Sequence, residues 1–347
     1  MSGPRNGRPT LDEVAALAGV GRGTVSRAIN GSPGVSARAR AAVARAVSDL
    51  GYVPNQAARA LAGSRTDAVA LVIPETEARL FAEPYFLGLI RGVSAELAMS
   101  DKQLLLTLVR SDQERQRFEQ YLAARRVDGV LLASVHGDDP LPDRIRELGL
   151  PVVMNGRRSE AEPVAYVDSD NIGAGRSAVA HLVGRGRTRI ATISGPSDMY
   201  VARARLGGYF AGLAEGGLAL DHALVATGDF TEEGGRAAMR ELLERSPDVD
   251  AVFAASDVMA AGALGVLREA GRRVPDDVAV VGVDDSAVAR LADPPLTSVR
   301  QPIEEMGRTM TRLLLRKIAR TSGEDGSAAA REPRRILPTE LIVRDSS

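Results

Sequence analysis

The chain of 347 residues has no cysteine, no long apolar run and no apolar leader at its N-terminus. Without cysteine there is no disulfide framework, no thiol nucleophile and no thiolate metal site. The apolar runs are far shorter than the ~20 residues that span a membrane, and MSGPRNGRPT lacks the apolar segment of a signal peptide. We therefore expect a globular protein of the cytoplasm, with 44% hydrophobic residues to form its core.

The sequence also lacks the patterns of nucleotide, metal and hydrolytic chemistry. Neither G-x-x-x-x-G-K-[ST] nor a G-x-G-x-x-G that opens a helix occurs in it. His136, His181 and His222 are too far apart for metal-ligand spacing, so we interpret them as surface residues. Asp284 and Asp285 are adjacent, and in a strand they point to opposite faces, unlike the carboxylate pair of a glycosidase. We predict no enzymatic activity, no catalytic residue, no cofactor and no metal.

The charge of the chain is unevenly distributed. Its net charge is -1, but residues 1–66 contain nine arginines and three acidic residues, so that segment carries +6 and the remainder -7. A basic head on an acidic body fits a protein whose head alone meets nucleic-acid phosphates. Charge alone leaves open a solvated basic surface without a partner.

The segment from Thr10 to Asn30 has the pattern of two short helices joined by a tight turn. Thr10 and Glu13 have the spacing of a capping box, and Gly19 can take the positive φ that ends a helix. Polar residues then project from one side of the second helix: Arg22, Gly23, Ser26, Arg27 and Asn30. Such a side fits a DNA major groove. By spacing alone, an ordinary helical hairpin with a solvated charged face fits as well.

Two further helices follow in the pattern. Ser36 can cap a third helix that stops at Gly51, and Asn55 can cap a short, alanine-rich helix that extends to Gly63. The last segment is too short to be a stable helix by itself. We expect it to fold only against a partner.

From Thr10 to Gly63 the sequence closely resembles the headpiece of the LacI/GalR family. The match rests on VAxxAGV, TVSRxING and VSxxxRxxVxxAxxxLGYxPNxxARxL. The resemblance implies that the second helix enters the major groove and that residues 55–63 form a hinge helix in the minor groove. It implies base contacts by Arg22, Gly23 and Arg27, phosphate contacts by Ser26 and Asn30, and hinge contacts by Asn55, Arg59 and the wedge Leu61. Gly21 replaces the family's usual serine, which removes one phosphate contact.

After Thr66, apolar runs alternate with helical stretches, which is the rhythm of βαβ units and a parallel sheet. The rhythm recurs after Asp170, so we predict an α/β protein with two doubly wound parallel-sheet lobes of the periplasmic-binding-protein type. The predicted boundaries are a headpiece at 1–54, a hinge at 55–66 and an effector and dimerisation domain at 67–347. Lobe one comprises about 67–168 and 300–325, and lobe two about 170–298 and 335–347. A mobile loop at 320–335 precedes a last strand, RILPTELIVR.

Two parallel-sheet lobes bind ligands where their strand ends face each other. Polar residues at these ends suit sugar hydroxyls, and Phe81, Phe230 and Tyr209 are candidate rings for an apolar sugar face. From spacing alone, the acidic residues equally fit helix caps and the rings fit the core. The family resemblance implies that the pocket is lined by Arg205, Phe230, Ser256, Asp257, Asp284 and Gln301. Asn155, Gly156 or Arg157 takes the place of an aspartate that the family often has.

These features predict a sugar-responsive repressor that reads a palindromic operator as a homodimer. The sequence ends at Ser347 without the leucine-heptad tail that makes the lactose repressor itself tetrameric, so we expect a dimer. ETEARLFAEPYF, SVHGDDPLPD, GDFTEEGG and ASDVMAAG are most similar to cellobiose-responsive members from actinomycetes, whose operators resemble TGGGAGCGCTCCCA. The predicted effector is cellobiose or a cello-oligosaccharide. A maltose-type or xylose-type sugar is the first alternative, and a sugar-binding protein without operator specificity is the second.

Overall fold

The structure is a computed structural model that describes residues 9–29, 34–52, 66–321 and 332–347. The chain divides into two compact units, Met1–Thr66 and Asp67–Ser347. Among the described residues, no helix combines the length and apolarity that a bilayer crossing needs.

The described part of the first unit is a set of three helices, α1 (Leu11–Ala18), α2 (Arg22–Ile29) and α3 (Ala37–Leu50). The predicted capping box is confirmed, because Thr10 and Glu13 exchange side-chain and backbone hydrogen bonds at the start of α1. Gly19 ends that helix with a φ of 66°, which costs glycine little. The small core consists of Val14, Ala15, Val25, Val43 and Ala46.

The second unit contains two six-stranded sheets. The first has the order β11-β5-β4-β3-β1-β2 and its strand pairs are parallel. Its strands are β1 (Ala68–Ile73), β2 (Gln103–Leu108), β3 (Gly129–Leu132), β4 (Val152–Asn155), β5 (Ala165–Ser169) and β11 (Arg334–Leu337). Its helices are α4 (Glu77–Ala82), α5 (Pro84–Leu97), α6 (Asp112–Ala123), α7 (Leu141–Glu147) and α13 (Ile303–Thr321). We call this half lobe one.

The second sheet has the order β12-β10-β9-β8-β6-β7, with β12 antiparallel to β10. Its strands are β6 (Ile190–Ser194), β7 (Val225–Thr227), β8 (Ala251–Ala254), β9 (Ala279–Asp284), β10 (Thr297–Arg300) and β12 (Glu340–Ile342). Its helices are α8 (Asn171–Gly184), α9 (Tyr200–Glu215), α10 (Glu232–Arg245), α11 (Asp257–Glu269) and α12 (Ala287–Leu291), and a 3-10 turn spans His222–Leu224. This half is lobe two, and the predicted pair of doubly wound lobes is confirmed.

The prediction of one last strand in lobe two was wrong. Arg334–Leu337 pairs with β5 in lobe one, whereas Glu340–Ile342 pairs with β10 in lobe two. Pro338 lies between them and lacks the N–H that a continuous ladder needs. Over the described residues of the second unit, the chain therefore passes between the lobes three times, after β5, after β10 and after β11. Most of the loop predicted at 320–335 lies outside the described residues.

Candidate functional site

A cleft of about 820 Å³, including its open mouth, lies between the two lobes. Its size fits a small-molecule site, and its position fits the rule that parallel sheets bind ligands at the carboxyl ends of their strands. Polar and aromatic side chains from both lobes line it. Lobe one provides Arg79, Glu83, Tyr85, Asn155, Arg157 and Asp168, and lobe two provides Tyr200, Arg205, Phe230, Ser256, Asp284 and Gln301.

Five of the eight residues that the sequence suggested for the effector pocket lie in this cleft, namely Arg205, Phe230, Ser256, Asp284 and Gln301. Phe81 does not, because the short helix α4 buries Leu80 and leaves the Phe81 side chain 73% exposed on the surface. Tyr209 is fully buried in the core of lobe two, where its hydroxyl donates to the carbonyl of Ile190 at 2.8 Å. Both are corrections to the sequence analysis.

Asp257 is the other predicted residue that lies outside the cleft lining. It is fully buried, and its carboxylate accepts hydrogen bonds from Ser298 Oγ at 2.5 Å and from the backbone N–H of Ser286 at 2.7 Å. Burial raises the pKa of Asp257, and the neighbouring carboxylate of Asp284 adds to the rise. Asp257 therefore holds the backbone that follows β9 and does not face the cleft.

Arg205 lines the cleft and is fixed by hydrogen bonds to two other residues of lobe two. It is only 4% exposed; its Nε donates to Asn171 Oδ1 at 3.0 Å and its Nη1 donates to the carbonyl of Ala255 at 2.5 Å. Helix α9 brings it there by lying directly against α8. A Cβ atom on Gly175 of α8 would stand 2.2 Å from the carbonyl oxygen of Arg205, so this approach requires glycine.

Asp284 enters the cleft from a strained turn. Its φ is 117° and that of Asp285 is 53°, conformations that cost a non-glycine residue about 1–3 kcal/mol each. The side chains of Arg300 and Arg344 hold the Asp285 carboxylate, and Gln301 Nε2 donates to Asp284 Oδ1 at 2.5 Å. Burial raises the pKa of Asp284, and the guanidinium of Arg205 opposes that rise. Strain of this kind is typical of functional sites.

Within the described part of the chain, Asn155 in lobe one brings a hydrogen-bond donor without a partner to the cleft. Its side chain is 5% exposed, and its Oδ1 accepts a hydrogen bond from the Tyr85 hydroxyl at 2.5 Å. Its Nδ2 is buried and has no partner among the described residues. Burial raises the pKa of Tyr85, so its hydroxyl stays a donor. Sequence reasoning reached Asn155 but missed Tyr85, although ETEARLFAEPYF contains it.

A stacked pair joins the lobes on another side of the cleft. The Arg157 guanidinium lies 4.4 Å from the ring centre of Tyr200, and its Nε donates to Asp168 at 3.1 Å. Burial raises the pKa of Asp168, and the Arg157 cation opposes that rise. Next to this pair, His136 Nδ1 lies 2.5 Å from Asp198 Oδ2 across the lobes. Arg157 is one of the three residues predicted to take the place of the aspartate that the family often has. No sequence pattern indicated Tyr200.

Helix α2 presents the predicted DNA-reading residues in the first unit. Val25 is fully buried, whereas Arg22, Gly23 and Arg27 are exposed and Ser26 is half-buried. Asn30, Asn55, Arg59 and Leu61 lie outside the described residues. Within the described part of the chain, no group of three or more histidine and acidic side chains is arranged to hold a metal ion.

Two family models match this chain. The model for bacterial regulatory proteins of the lacI family matches residues 10–55, and that for the periplasmic binding protein-like domain matches residues 179–347. The HTH-type transcriptional regulator CelR of Thermobifida fusca is 55% identical over 345 residues, which cover 99% of each chain.

Two solved structures extend the comparison. A transcriptional regulator CelR-cellobiose complex matches with a TM-score of 0.77 and 54% identity, covering 98% of this chain and 100% of the other. The lac repressor dimer bound to operator and the anti-inducer ONPF matches with a TM-score of 0.81 and 26% identity, covering 98% and 99%.

Proposed function

This chain belongs to the lacI family of bacterial regulatory proteins, and from that premise we propose that it is a cellobiose-responsive transcriptional repressor. It binds a palindromic operator as a homodimer and leaves it when cellobiose or a short cello-oligosaccharide occupies the cleft. It is a regulator without catalytic residues, and it acts in the cytoplasm, where bacterial DNA lies. Residues 1–54 form the headpiece, 55–66 the hinge and 67–347 the effector domain.

One observation carries the choice of effector. The cleft combines the free, buried Nδ2 of Asn155 in lobe one with Arg205 and Asp284 in lobe two, and the relative with 54% identity was solved with cellobiose. A disaccharide offers many hydroxyl groups, which both donate and accept hydrogen bonds. Tyr85, Tyr200 and Phe230 add rings for the apolar faces of the sugar.

The mechanism follows from the fact that the polar groups belong to different lobes. A sugar that hydrogen-bonds Asn155 on one side and Arg205 and Asp284 on the other favours one angle between the lobes. It lowers operator affinity only by the difference between its affinities for the operator-bound and free forms. At the operator, Arg22, Gly23 and Arg27 contact bases, Ser26 and Asn30 contact phosphates, and Asn55, Arg59 and Leu61 act from the hinge.

Calorimetry of the full chain with cellobiose, maltose and xylobiose tests the effector, and fluorescence anisotropy with a TGGGAGCGCTCCCA duplex and a scrambled duplex tests the operator. We expect cellobiose alone to bind well and to release the specific duplex. Absence of cellobiose binding at millimolar concentration contradicts the proposed effector. Equal affinity for both duplexes indicates a sugar-binding protein without operator specificity.

The variant Asn155→Leu tests the role of the Asn155 amide, because leucine has a similar volume but neither the free Nδ2 donor nor the Oδ1 that accepts from Tyr85. We expect cellobiose affinity to fall about tenfold, the effect of one hydrogen bond in a buried site, while sugar-free operator binding stays unchanged. If affinity stays within twofold of the parent, the sugar does not use this donor.

A further inference from the structure

Two of the three passages between the lobes are joined directly by a buried hydrogen bond. Ser169 is the last residue of β5, at the first passage, and Gln301 follows β10, at the second. Ser169 Oγ donates to Gln301 Oε1 at 2.5 Å, and the side chains are 1% and 5% exposed. Gln301 uses its other amide atom, Nε2, to donate to the cleft carboxylate of Asp284. Ser169 is therefore connected to the cleft carboxylate of Asp284 through one residue, Gln301.

Asn171 connects the same passage to the other charged group of lobe two. Its Nδ2 donates to Asp168 Oδ1 at 2.8 Å, and its Oδ1 accepts from Arg205 Nε at 3.0 Å. Ser169 Oγ lies 3.3 Å from this same Oδ1. Arg205 is thus hydrogen-bonded to Asn171, and Asp284 is hydrogen-bonded to Gln301. Asn171 and Gln301 in turn both present an acceptor to the Ser169 hydroxyl.

The hydroxyl has one proton and two acceptors within reach. In this structure the shorter contact is the one to Gln301, and the contact to Asn171 is the longer alternative. A ligand hydroxyl that donates to the Asp284 carboxylate competes with Gln301 Nε2 for that acceptor and allows the Gln301 amide to move. A shift of Gln301 away from Ser169 leaves Asn171 Oδ1 as the remaining acceptor. The Ser169 hydroxyl thus has two alternative acceptors, one on each route, and coupling through a packed interior requires an element with two such discrete arrangements.

We propose that Ser169 is a positioning residue that couples occupation of the cleft to the angle between the lobes, by directing its proton to Gln301 in one state and to Asn171 in the other. Ser169 does not belong to the described residues that line the cleft, so it acts on the ligand only through its neighbours. The inference rests on the proposed sugar-controlled operator binding and assigns part of that control to one hydroxyl group.

The test compares the full-length parent with Ser169→Ala and with Ser177→Ala, a matched control on α8 whose hydroxyl donates to the carbonyl of Ala174. Anisotropy gives operator Kd with and without saturating cellobiose, and the ratio of the two is the coupling factor. Calorimetry gives the cellobiose Kd. Coupling factors in allosteric proteins are about 5- to 150-fold. We expect Ser169→Ala to reduce the parent's factor at least about fivefold while the cellobiose Kd changes less than about threefold. Ser177→Ala is expected to match the parent.

A purely structural role lowers the melting temperature and leaves the coupling factor unchanged, so that result overturns the inference. Ser169→Thr keeps the hydroxyl and is expected to recover most of the coupling; a threonine variant as uncoupled as the alanine variant also overturns it. If Ser169→Ala does not fold, Ser169→Cys replaces it, because a thiol is a weak donor of similar size. A parent that cellobiose does not release contradicts the proposed function instead, independently of Ser169.

Discussion

The arginines of helix α2 and the arginines of the cleft differ in burial and in partners. The Arg22 side chain is 69% exposed, and the Asp12 carboxylate is 3.5 Å from it. Arg27 is also exposed and donates to the carbonyl of Gly23 within its own helix. In the cleft, Arg205 is 4% exposed and spans Asn171 and Ala255, and Arg157 lies between Asp168 and the Tyr200 ring.

This difference indicates two ways of binding. The exposed α2 arginines are solvated in the free protein, so a partner must displace water from them and fix their side chains when it binds. The cleft arginines are already desolvated and oriented, so the entropic cost of ordering them when a ligand binds is small. Removing an exposed arginine loses one contact, whereas removing a buried one also leaves its acceptors without donors. Substitutions in the cleft should therefore have the larger effects.

The largest effect is expected for Arg205→Ala. The change leaves Asn171 Oδ1 and the Ala255 carbonyl without their donor and removes the cation that faces Asp284. We expect cellobiose affinity in calorimetry to fall at least about 100-fold, since a lost charged hydrogen bond and its orphaned partners cost about 3 kcal/mol or more. Operator affinity without sugar should be retained. Arg240→Ala, on the exposed side of α10, is the control. A loss under fivefold contradicts the prediction.

A smaller effect is expected for Arg27→Ala and Arg22→Ala in the headpiece. If each arginine reads a base, its loss costs ~1–3 kcal/mol of operator affinity and relaxes preference at one position of each half-site. Cellobiose affinity should not change. Anisotropy with single-substituted operators at several salt concentrations measures both the preference and the salt slope. A uniform loss on every sequence with a shallower slope makes that arginine a phosphate contact.

Local patterns predicted the elements of the fold well because their causes are local. The capping box at Thr10, the glycine that ends α1 and the alternation of strands and helices each depend on residues a few positions apart. The split last strand was missed although Pro338 separates its halves. Each half is too short to reveal which sheet it joins, and that choice is made by distant partners.

The cleft was only partly predictable because its residues converge from many loops. Motif positions located Arg205 and Asp284, but Tyr200 and Tyr85 belong to no local pattern that distinguishes a cleft residue from a core residue. Phe81 was misplaced because α4 is too short for its apolar spacing to decide which side faces the protein. Asp257 was misplaced because an acidic residue at the start of a helix looks the same whether it faces a ligand or a backbone N–H.

The two regions should also differ in their response to pH. Burial raises the pKa of Asp284, so it begins to protonate at a higher pH than an ordinary aspartate, whose pKa is about 4. The ionised carboxylate accepts sugar hydroxyls better, so cellobiose affinity should fall as the pH is lowered from 7, by less than about tenfold per pH unit for one proton. Operator affinity without sugar should not follow this pH dependence, because none of the predicted DNA-contacting residues is a carboxylate.

Calorimetry from pH 5 to pH 8, interpreted beside anisotropy over the same range, checks this difference. Asp284→Asn should bind cellobiose more weakly at neutral pH and lose most of the pH dependence. Glu83 and Asp168 also line the cleft, and burial raises the pKa of both, so a pH dependence that persists in Asp284→Asn shifts the assignment to one of these two carboxylates. A flat profile in the parent contradicts the prediction.

The smallest effect concerns two capping boxes that are nearly identical in geometry but lie in the two different units. Glu13 N donates to Thr10 Oγ1 at 3.3 Å, and Glu114 N donates to Ser111 Oγ at 3.2 Å. Loss of a cap costs about 1 kcal/mol, or roughly a fivefold change in local opening. Helix α1 packs on a core of five buried residues, whereas α6 packs on a large core through Phe118 and Leu122.

We therefore expect Thr10→Ala to speed amide hydrogen exchange throughout α1, α2 and α3 in the full chain, because so small a core opens as one unit. Ser111→Ala should speed exchange only in the first turn of α6, because the rest of that helix stays anchored in lobe one. Operator affinity should fall about two- to fivefold for Thr10→Ala and stay unchanged for Ser111→Ala. Effects that remain local in both variants would show that the headpiece does not open cooperatively, and that its exposed arginines are presented by a more rigid unit than its small core implies.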